Sequence, residues 1–201
     1  LEGRDKDMLT NHGLYVAFLK YNTSPLSIPF QYVLAHKDEF GKKYDAQRLD
    51  MIMNRVWMSY PRGFVTKNTD GSVTVDDAAI NAYKAEMKKW KVSNADEIIL
   101  NYNTYVAECK GDWKTYASLC TKNIKKYGEN DMSIYNWVLR IKQHCNDQKV
   151  KDVAINWMST RLKNIEKAKA KEAPLPAGVL RAMPMVNFEK QYKQLIEDLK
   201  K

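Results

Sequence analysis

The stretch from Asn94 to Lys167 constrains the fold most, because it contains four amphipathic helical patterns in succession, joined by short polar turns. In each pattern the apolar side chains recur at steps of three and four residues, the spacing of one face of an α-helix. The four faces are Ile98, Tyr102, Tyr105 and Cys109; Trp113, Tyr116, Ala117, Cys120, Ile124 and Tyr127; Ile134, Trp137, Val138, Ile141 and Cys145; and Val150, Val153, Ala154, Trp157 and Ile165. Because none of these helices buries its apolar face alone, the sequence predicts an array of helices stacked against one another.

Very short turns join these helices. Lys110-Gly111-Asp112 separates the first helix from the second, and connections this short make consecutive helices antiparallel. The first and third helices begin at Glu97 and Asp131, and their spacing of 34 residues is the period of a tetratricopeptide helix pair. The small residues and the proline of that repeat's consensus are missing from their places. The sequence therefore predicts tetratricopeptide-like stacking of antiparallel helix pairs, not the repeat itself.

The fold class predicted for the whole chain is all-α, with one possible small β-hairpin near 64–75. Phe64-Val65-Thr66 and Val73-Thr74-Val75 flank Asp70-Gly71, a dipeptide typical of hairpin turns. A long polar loop is the alternative interpretation of this segment. Upstream of it, Ser24-Pro25 is predicted to cap a helix that begins with the proline.

We expect three regions that together form one compact domain. Residues 1–92 form an N-terminal helical region with the possible hairpin, residues 93–170 form the stacked helix pairs, and residues 171–201 form a proline-containing linker and a C-terminal capping helix. Two prolines and a glycine exclude a continuous helix in the linker. The last helix begins after Asn187 and is expected to cap the array, since a terminal pair otherwise exposes an apolar face. A separate docking element is the alternative.

Three cysteines raise the question of redox or metal chemistry. Cys109, Cys120 and Cys145 form no Cys-x-x-Cys pair, and the three histidines lie at no spacing typical of zinc ligands. All three cysteines lie on apolar stripes, which favours buried free thiols. If a disulfide forms, Cys109 and Cys145 are the pair that helix geometry allows, because they end alternate, parallel helices. No metal or cofactor site is therefore predicted.

Sequence motifs of catalysis are missing as well. The chain has no glycine-rich phosphate loop, no Gly-x-Ser-x-Gly elbow and no His-Glu-x-x-His sequence. Its aromatic residues lie at helical spacing, which is typical of core packing, so we expect Trp113, Trp137 and Trp157 to be largely buried. We predict no catalytic residue and no enzyme activity. A thiol-dependent enzyme is a rival hypothesis, and it requires an exposed cysteine of low pKa.

The formal net charge of +9 suggests another rival, a protein that binds nucleic acid or an anionic surface. Of 33 basic residues, 26 are lysines, whereas arginine is the residue suited to bidentate phosphate contacts. The densest basic run, from Arg161 to Lys171, is interrupted by Glu166. A solvated helix face is therefore the favoured interpretation, and nucleic acid is disfavoured as a partner. No apolar run approaches the roughly 20 residues of a transmembrane helix.

Runs of aromatic and turn residues between residues 8 and 165 form a recognisable pattern. They are Tyr21-Asn22-Thr23-Ser24-Pro25-Leu26, Phe30-Gln31-Tyr32-Val33-Leu34-Ala35-His36-Lys37-Asp38-Glu39-Phe40, Tyr44, Asp112-Trp113, Tyr116-Ala117, Lys126-Tyr127-Gly128, Asn136-Trp137 and Ala154-Ile155-Asn156-Trp157. This pattern resembles the all-helical region that accompanies a thioredoxin-like domain in bacterial exported proteins of the thioredoxin family. The redox dithiol of that family has no counterpart here, so no active-site residue is carried over. The resemblance implies an accessory domain, periplasmic or otherwise exported, that is associated with a thioredoxin-like domain.

The function expected from this sequence is non-catalytic binding of a protein or peptide. Stacked helix pairs curve, and their concave side presents one helix of every pair. The helices that begin near Glu97 and Asp131 alternate with the other two and are expected to share that side. Tyr105 and Tyr135 are the candidate anchors of an interaction surface there, because tyrosine contributes strongly to contact energies.

Overall fold

Helices make up most of the described chain. The computed structural model describes residues 24–171 and 187–201, together with His12, Gly13, Tyr15 and Lys20. Within these residues the bounds of nine α-helices are defined: α1 (Ile28–Ala35), α2 (Lys37–Lys43), α3 (Ala46–Ser59), α4 (Asp77–Lys89), α5 (Ala95–Cys109), α6 (Trp113–Tyr127), α7 (Asp131–His144), α8 (Gln148–Lys171) and α9 (Phe188–Leu199). A 3-10 helix (Tyr60–Phe64) and strands β1 (Val65–Lys67) and β2 (Val73–Val75) lie between α3 and α4. The predicted all-α fold with a small hairpin is confirmed.

Contacts within the chain group its residues into two compact units, 1–102 and 103–201. The division falls inside α5, whereas the sequence predicts boundaries near residues 92 and 170. The last helix belongs to the second unit, where α9 packs against α7 and α8. Residues 172–186, which form most of the predicted linker, lie outside the described residues.

The start of α1 differs from the prediction at Ser24-Pro25. The Oγ atom of Ser27 accepts a hydrogen bond from the amide of Phe30 at 3.3 Å, and Pro29 lies in the first turn. The Ser24 hydroxyl instead accepts a hydrogen bond from the amide of Leu26 at 3.2 Å. The predicted cap at Ser24 is therefore wrong. The sequence contains two similar serine–proline patterns, Ser24-Pro25 and Ser27-Ile28-Pro29. Local pattern does not show that the first forms a turn and the second caps the helix.

The hairpin pairs β1 and β2 in antiparallel register, with Val65 opposite Val75 and Lys67 opposite Val73. Gly71 has a φ of +83°, a left-handed conformation that glycine adopts without steric cost. The carboxylate of Asp70 accepts hydrogen bonds from the amide and the hydroxyl of Ser72, at 2.8 and 2.7 Å. These bonds close the turn, so the hairpin interpretation of this segment is confirmed over the polar loop.

The first unit is organised around buried aromatic rings from α1, α3 and α4. Phe30 meets Trp57 edge-on, with 5.7 Å between ring centroids. Tyr83 is fully buried, and its hydroxyl donates to the backbone carbonyl of Trp57. This bond satisfies a polar group in the core, and burial raises the pKa of Tyr83. The aromatic contacts thus fix α4 against α3.

The second unit has one continuous apolar core, contributed by α6, α7, α8, α9 and the end of α5. Its buried members are Ala107, Tyr116, Ala117, Cys120, Ile134, Val138, Ile141, Cys145, Val150, Ala154, Trp157, Met158, Tyr192, Leu195 and Leu199. Each helix contributes side chains at steps of three and four, as the apolar stripes predict. The side chains of Asp112 and Asn130 accept hydrogen bonds from the third amides of α6 and α7, which caps both helices.

A network of charged groups joins α7, α8 and α9 at one edge of this core. The guanidinium of Arg161 donates two hydrogen bonds to the carboxylate of Asp131, both at 2.8 Å, and a third to Glu129 at 3.3 Å. The hydroxyl of Tyr192, on α9, donates to the backbone carbonyl of Asp131 at 2.9 Å. Hydrogen bonding from Arg161 holds the pKa of Asp131 below its usual range. A bidentate pair of this kind fixes geometry as well as contributing energy.

The three tryptophans of the array differ in burial. Trp157 is only 6% exposed, and its indole N–H donates to the hydroxyl of Thr121 at 3.1 Å. Trp137 is half-buried, with its ring edge-on to Trp157 at 6.4 Å, and Trp113 is half-buried against His144. The expected burial therefore holds fully for Trp157 and in part for the other two, and none of the three indoles lies free in solvent.

We predict that Trp157→Ala lowers the free energy of unfolding by about 3–5 kcal/mol, because it opens a cavity and leaves Thr121 without its indole partner. Trp113→Ala, at a half-buried site, serves as the matched control and is expected to cost clearly less. Urea denaturation followed by circular dichroism measures both. Equal losses in the two variants would contradict the packing described for Trp157.

The Asp131 carboxylate makes the stability of the second unit dependent on acid. Its pKa is lowered in the folded state, so its contribution is fully present above the unfolded value of about 3.9 and is lost as pH falls through the lower folded value. Asp131→Asn is expected to lower stability at neutral pH by about 1–3 kcal/mol and to flatten the decline between about pH 5 and pH 2. Denaturant titrations across that range measure the slope. If the slope of stability against pH is the same in Asp131→Asn as in the unmodified protein, Asp131 is not responsible for the loss of stability in acid.

Candidate interaction groove

The two tyrosines predicted as anchors are both half-buried. Tyr105 lies on α5, and Tyr135 lies on α7 with its ring edge-on to Phe188 of α9, at 6.0 Å between centroids. Part of the Tyr135 ring is therefore already covered by its contact with the C-terminal helix, α9. A binding role for these tyrosines stays a prediction, and the structure offers a second surface on the other two helices of the array.

That surface is a groove of about 790 Å³ along α6 and α8. Its lining is Lys114, Ala117, Ser118, Thr121, Lys122, Lys125, Lys126, Lys149, Val150 and Val153. We call it the α6/α8 groove. Its floor consists of small and β-branched side chains, and Val153 is 38% exposed there. Ala117 and Val150 are almost fully buried beneath it, so Val153 is the apolar residue that the floor presents to a ligand. An exposed apolar residue inside a concave surface is typical of binding sites.

The groove follows from the helical spacing of α6. Its seven lining residues recur at steps of three, one, three, one, three and one along the helix, which places them in two adjacent rows on one face. One row holds Ala117, Thr121 and Lys125, and it faces α8, because the indole of Trp157 reaches Thr121. The other row, Lys114 to Lys126 in steps of four, forms the outer rim.

The electrostatics of the groove are strongly one-sided. Five lysines line it, and no carboxylate does. Lys114 lies 3.7 Å from Asp147, and Lys126 lies over the ring of Tyr127. Within the described part of the chain, the ammonium groups of Lys122 and Lys125 have no ion-pair partner. Clustered charge of one sign in a concave surface raises the local concentration of ligands of opposite sign.

Few hydrogen-bonding groups in the groove are available to a ligand. The hydroxyl of Thr121 donates to the carbonyl of Ala117 at 2.9 Å and accepts from Trp157. The backbone amides and carbonyls of the walls belong to α6 and α8 and are used within those helices. Besides the lysines, the lining thus offers mainly the exposed hydroxyl of Ser118. A ligand here is held by apolar contact and by charge.

The cysteines lie apart from the groove lining. Cys120 and Cys145 are buried, Cys109 is half-buried, and all three are free thiols, so the disulfide considered for Cys109 and Cys145 is not formed in this structure. Burial raises the pKa of the Cys120 thiol, which keeps it protonated and unreactive at neutral pH. Among the described residues, no group of three His, Cys, Asp or Glu side chains is placed to hold a metal ion.

One feature of the sequence indicates a basic surface on α6, and the prediction of an interaction surface at Tyr105 and Tyr135 does not use it. The segment from Trp113 to Tyr127 carries four lysines and no acidic residue, although the chain as a whole has 24. We interpret only the basic run from Arg161 to Lys171 as a solvated face, and that interpretation does not cover these lysines or the row of small residues between them. The pairing of α6 with α8, two helices that are not consecutive, makes this row into a floor.

Comparisons with protein families, with curated proteins and with solved structures found no match to this chain. Within the described residues, no helix combines the length and the apolar character needed to cross a bilayer. The function is therefore inferred from the groove itself.

Burial predicts a clear order of thiol reactivity in the native protein. Cys109 is expected to react first with a bulky maleimide, whereas Cys120 and Cys145 react only after unfolding, because both lie in the core. Mass spectrometry of peptides labelled with and without urea measures this order. Fast native labelling of Cys120 would contradict its burial and would favour the thiol-enzyme hypothesis.

Proposed function

We propose that this chain is a non-catalytic accessory module that binds a protein or peptide in the α6/α8 groove. The observation that carries the proposal is an apolar floor, Ala117, Val150 and Val153, rimmed by five lysines with no carboxylate in the lining. Val153, the exposed residue of this floor, supplies affinity when a ligand removes its surface from water. The charged rim supplies attraction and orientation. The matching ligand is an acidic segment that also carries apolar side chains.

The context of the module is a second part of the proposal, and it rests on the resemblance described above. We propose that the module acts beside a thioredoxin-like domain in an exported protein and presents that domain's clients or partners to it. Sequencing the complete coding region tests this part directly.

Binding of a nucleic acid is the rival that the five lysines favour. Two features of the groove oppose it. Neither an aromatic ring nor an arginine lines the groove, and these are the groups on which single-stranded bases stack or to which phosphates bind bidentately. The two functions differ in salt dependence, because nucleic-acid binding releases counterions from each neutralised phosphate.

The test uses a fluorescent acidic peptide with leucines at helical spacing and a fluorescent single-stranded DNA of similar charge. We expect the peptide to bind and Val153→Asp to weaken binding about tenfold or more, since this change puts a carboxylate on the floor. Met132→Asp is the matched control, because Met132 is an exposed apolar residue of α7 outside the groove lining. Fluorescence anisotropy measures both.

Salt separates the two candidate functions. Between about 50 mM and about 500 mM salt, peptide binding is expected to weaken only in part, because contact with the floor is unscreened. Tighter binding of the DNA, with a steep loss over that range, would replace this proposal with the nucleic-acid function. Equal effects of the two aspartate variants would place peptide binding outside the groove.

A further inference from the structure

We infer that the segment bound in the α6/α8 groove is an acidic amphipathic α-helix lying along α6. This inference rests on the proposed function and specifies the conformation and the residue spacing of the partner. Three independent features of the groove carry it: its length and its small side chains, the lack of backbone hydrogen-bonding partners, and the spacing of the rim lysines.

The shape of the groove matches a helix. Its lining on α6 runs from Lys114 to Lys126, roughly 18 Å at 1.5 Å per residue, which is the length of about three helical turns. The floor row contains Ala117 and Thr121, one turn apart, with Ser118 beside them. Small side chains in a row let a second helix approach closely. Two packed helices with such a floor accept a third helix in the groove between them.

Hydrogen bonding favours a helix over an extended peptide. An extended segment buries backbone amides and carbonyls that need partners, and it normally finds them at a sheet edge. The α6/α8 groove has no such edge, and the Thr121 hydroxyl is already used by Ala117 and Trp157. A helix satisfies its own backbone, so it needs from the groove only apolar contact and charge.

The rim lysines specify where the partner's acidic residues lie. Lys114, Lys122 and Lys126 are separated by eight and four residues, so they lie on one ridge of α6 that winds around the helix by about 40° every four residues. Lys149 lies across the groove on α8. A helix packed against this ridge faces it with Asp or Glu residues on a ridge of its own, at steps of four. Its leucine-sized residues, three and four positions apart, then face Val150 and Val153.

The chain itself is a poor source of this helix. A second copy would bring another +9 of net charge towards a groove rimmed by lysines, which like-charge repulsion opposes. The last helix, α9, is already packed in the core through Tyr192, Leu195 and Leu199. We therefore assign the helix to a different protein.

The experiment compares three peptides of about 14 residues that share one composition. The first has Glu at four-residue spacing beside a leucine stripe, the second has its proline moved from the end to the centre, and the third has the Glu positions scrambled. We expect the first to bind about a hundredfold tighter than the second, because a central proline breaks the helix. The third is expected to bind about tenfold more weakly than the first. Amide chemical shifts of the labelled peptide report its helicity when bound.

Charge-reversal variants place the helix in the groove. Lys122→Glu combined with Lys125→Glu is expected to weaken binding of the first peptide by tenfold or more. Lys163→Glu combined with Lys167→Glu is the matched control, since these residues lie exposed on α8 outside the groove lining and change the net charge equally. Circular dichroism verifies that both variants are folded.

The outcomes separate this inference from the proposed function. If all three peptides bind equally, and binding still depends on Lys122 and Lys125, the helix inference is overturned and the proposed function stands. If no acidic peptide binds, or if the control variant weakens binding as much as the groove variant, both are overturned. Preferential binding to single-stranded DNA or to anionic lipid vesicles would also overturn both.

Discussion

The pairing of Arg161 with Asp131 sets the arrangement of the second unit, because one carboxylate joins three helices. Asp131, the first residue of α7, accepts hydrogen bonds from Arg161 of α8 and from Tyr192 of α9. Arg161 ends a stripe on α8 that includes Val150, Ala154 and Trp157, at steps of four, three and four. A fixed Arg161 therefore fixes the rotation of the whole helix. That rotation directs Trp157 to Thr121 and leaves Val153 beside α6, so the groove depends on an ion pair that is not part of its lining.

The lysines of α6 repel one another, and this repulsion bears on what their function is. Like charges three and four residues apart, such as Lys122 with Lys125 and Lys126, destabilise a helix by about 0.2–0.5 kcal/mol per pair. Lys125 and Lys126 lie in the last turn of α6, where basic side chains complement the helix dipole, whereas Lys114 and Lys122 lie before that turn. Local choices that oppose stability and serve no packing purpose are typical of functional surfaces. An acidic partner relieves this repulsion, which is the physical basis of the affinity proposed for the groove.

The cysteines and aromatic residues of this unit serve its core. Cys120 lies against Tyr116, and burial raises the pKa values of both groups, so neither is poised for proton transfer at neutral pH. Trp157 combines a large apolar surface with one polar atom, and Thr121 satisfies that atom. The same threonine is thereby withdrawn from ligand recognition. Core and groove share the residues of one helix face, and the needs of the core limit what the groove recognises.

Local sequence pattern determines most elements of this protein: the four apolar stripes between Asn94 and Lys167 become α5 to α8, and the turn residues Asp70-Gly71 become the hairpin turn. These features are local, since spacing, caps and turn residues act within a few positions. Tertiary structure decides which serine caps α1, how deeply Trp113 and Trp137 are buried, and that α6 meets α8. The burial of the two indoles and the pairing of α6 with α8 depend on contacts between segments distant in sequence, and one helix's periodicity contains no information about its neighbour. The groove is a product of the tertiary structure, because its apolar floor and its basic rim come from α6 and α8. No local sequence pattern predicts that these two helices pair.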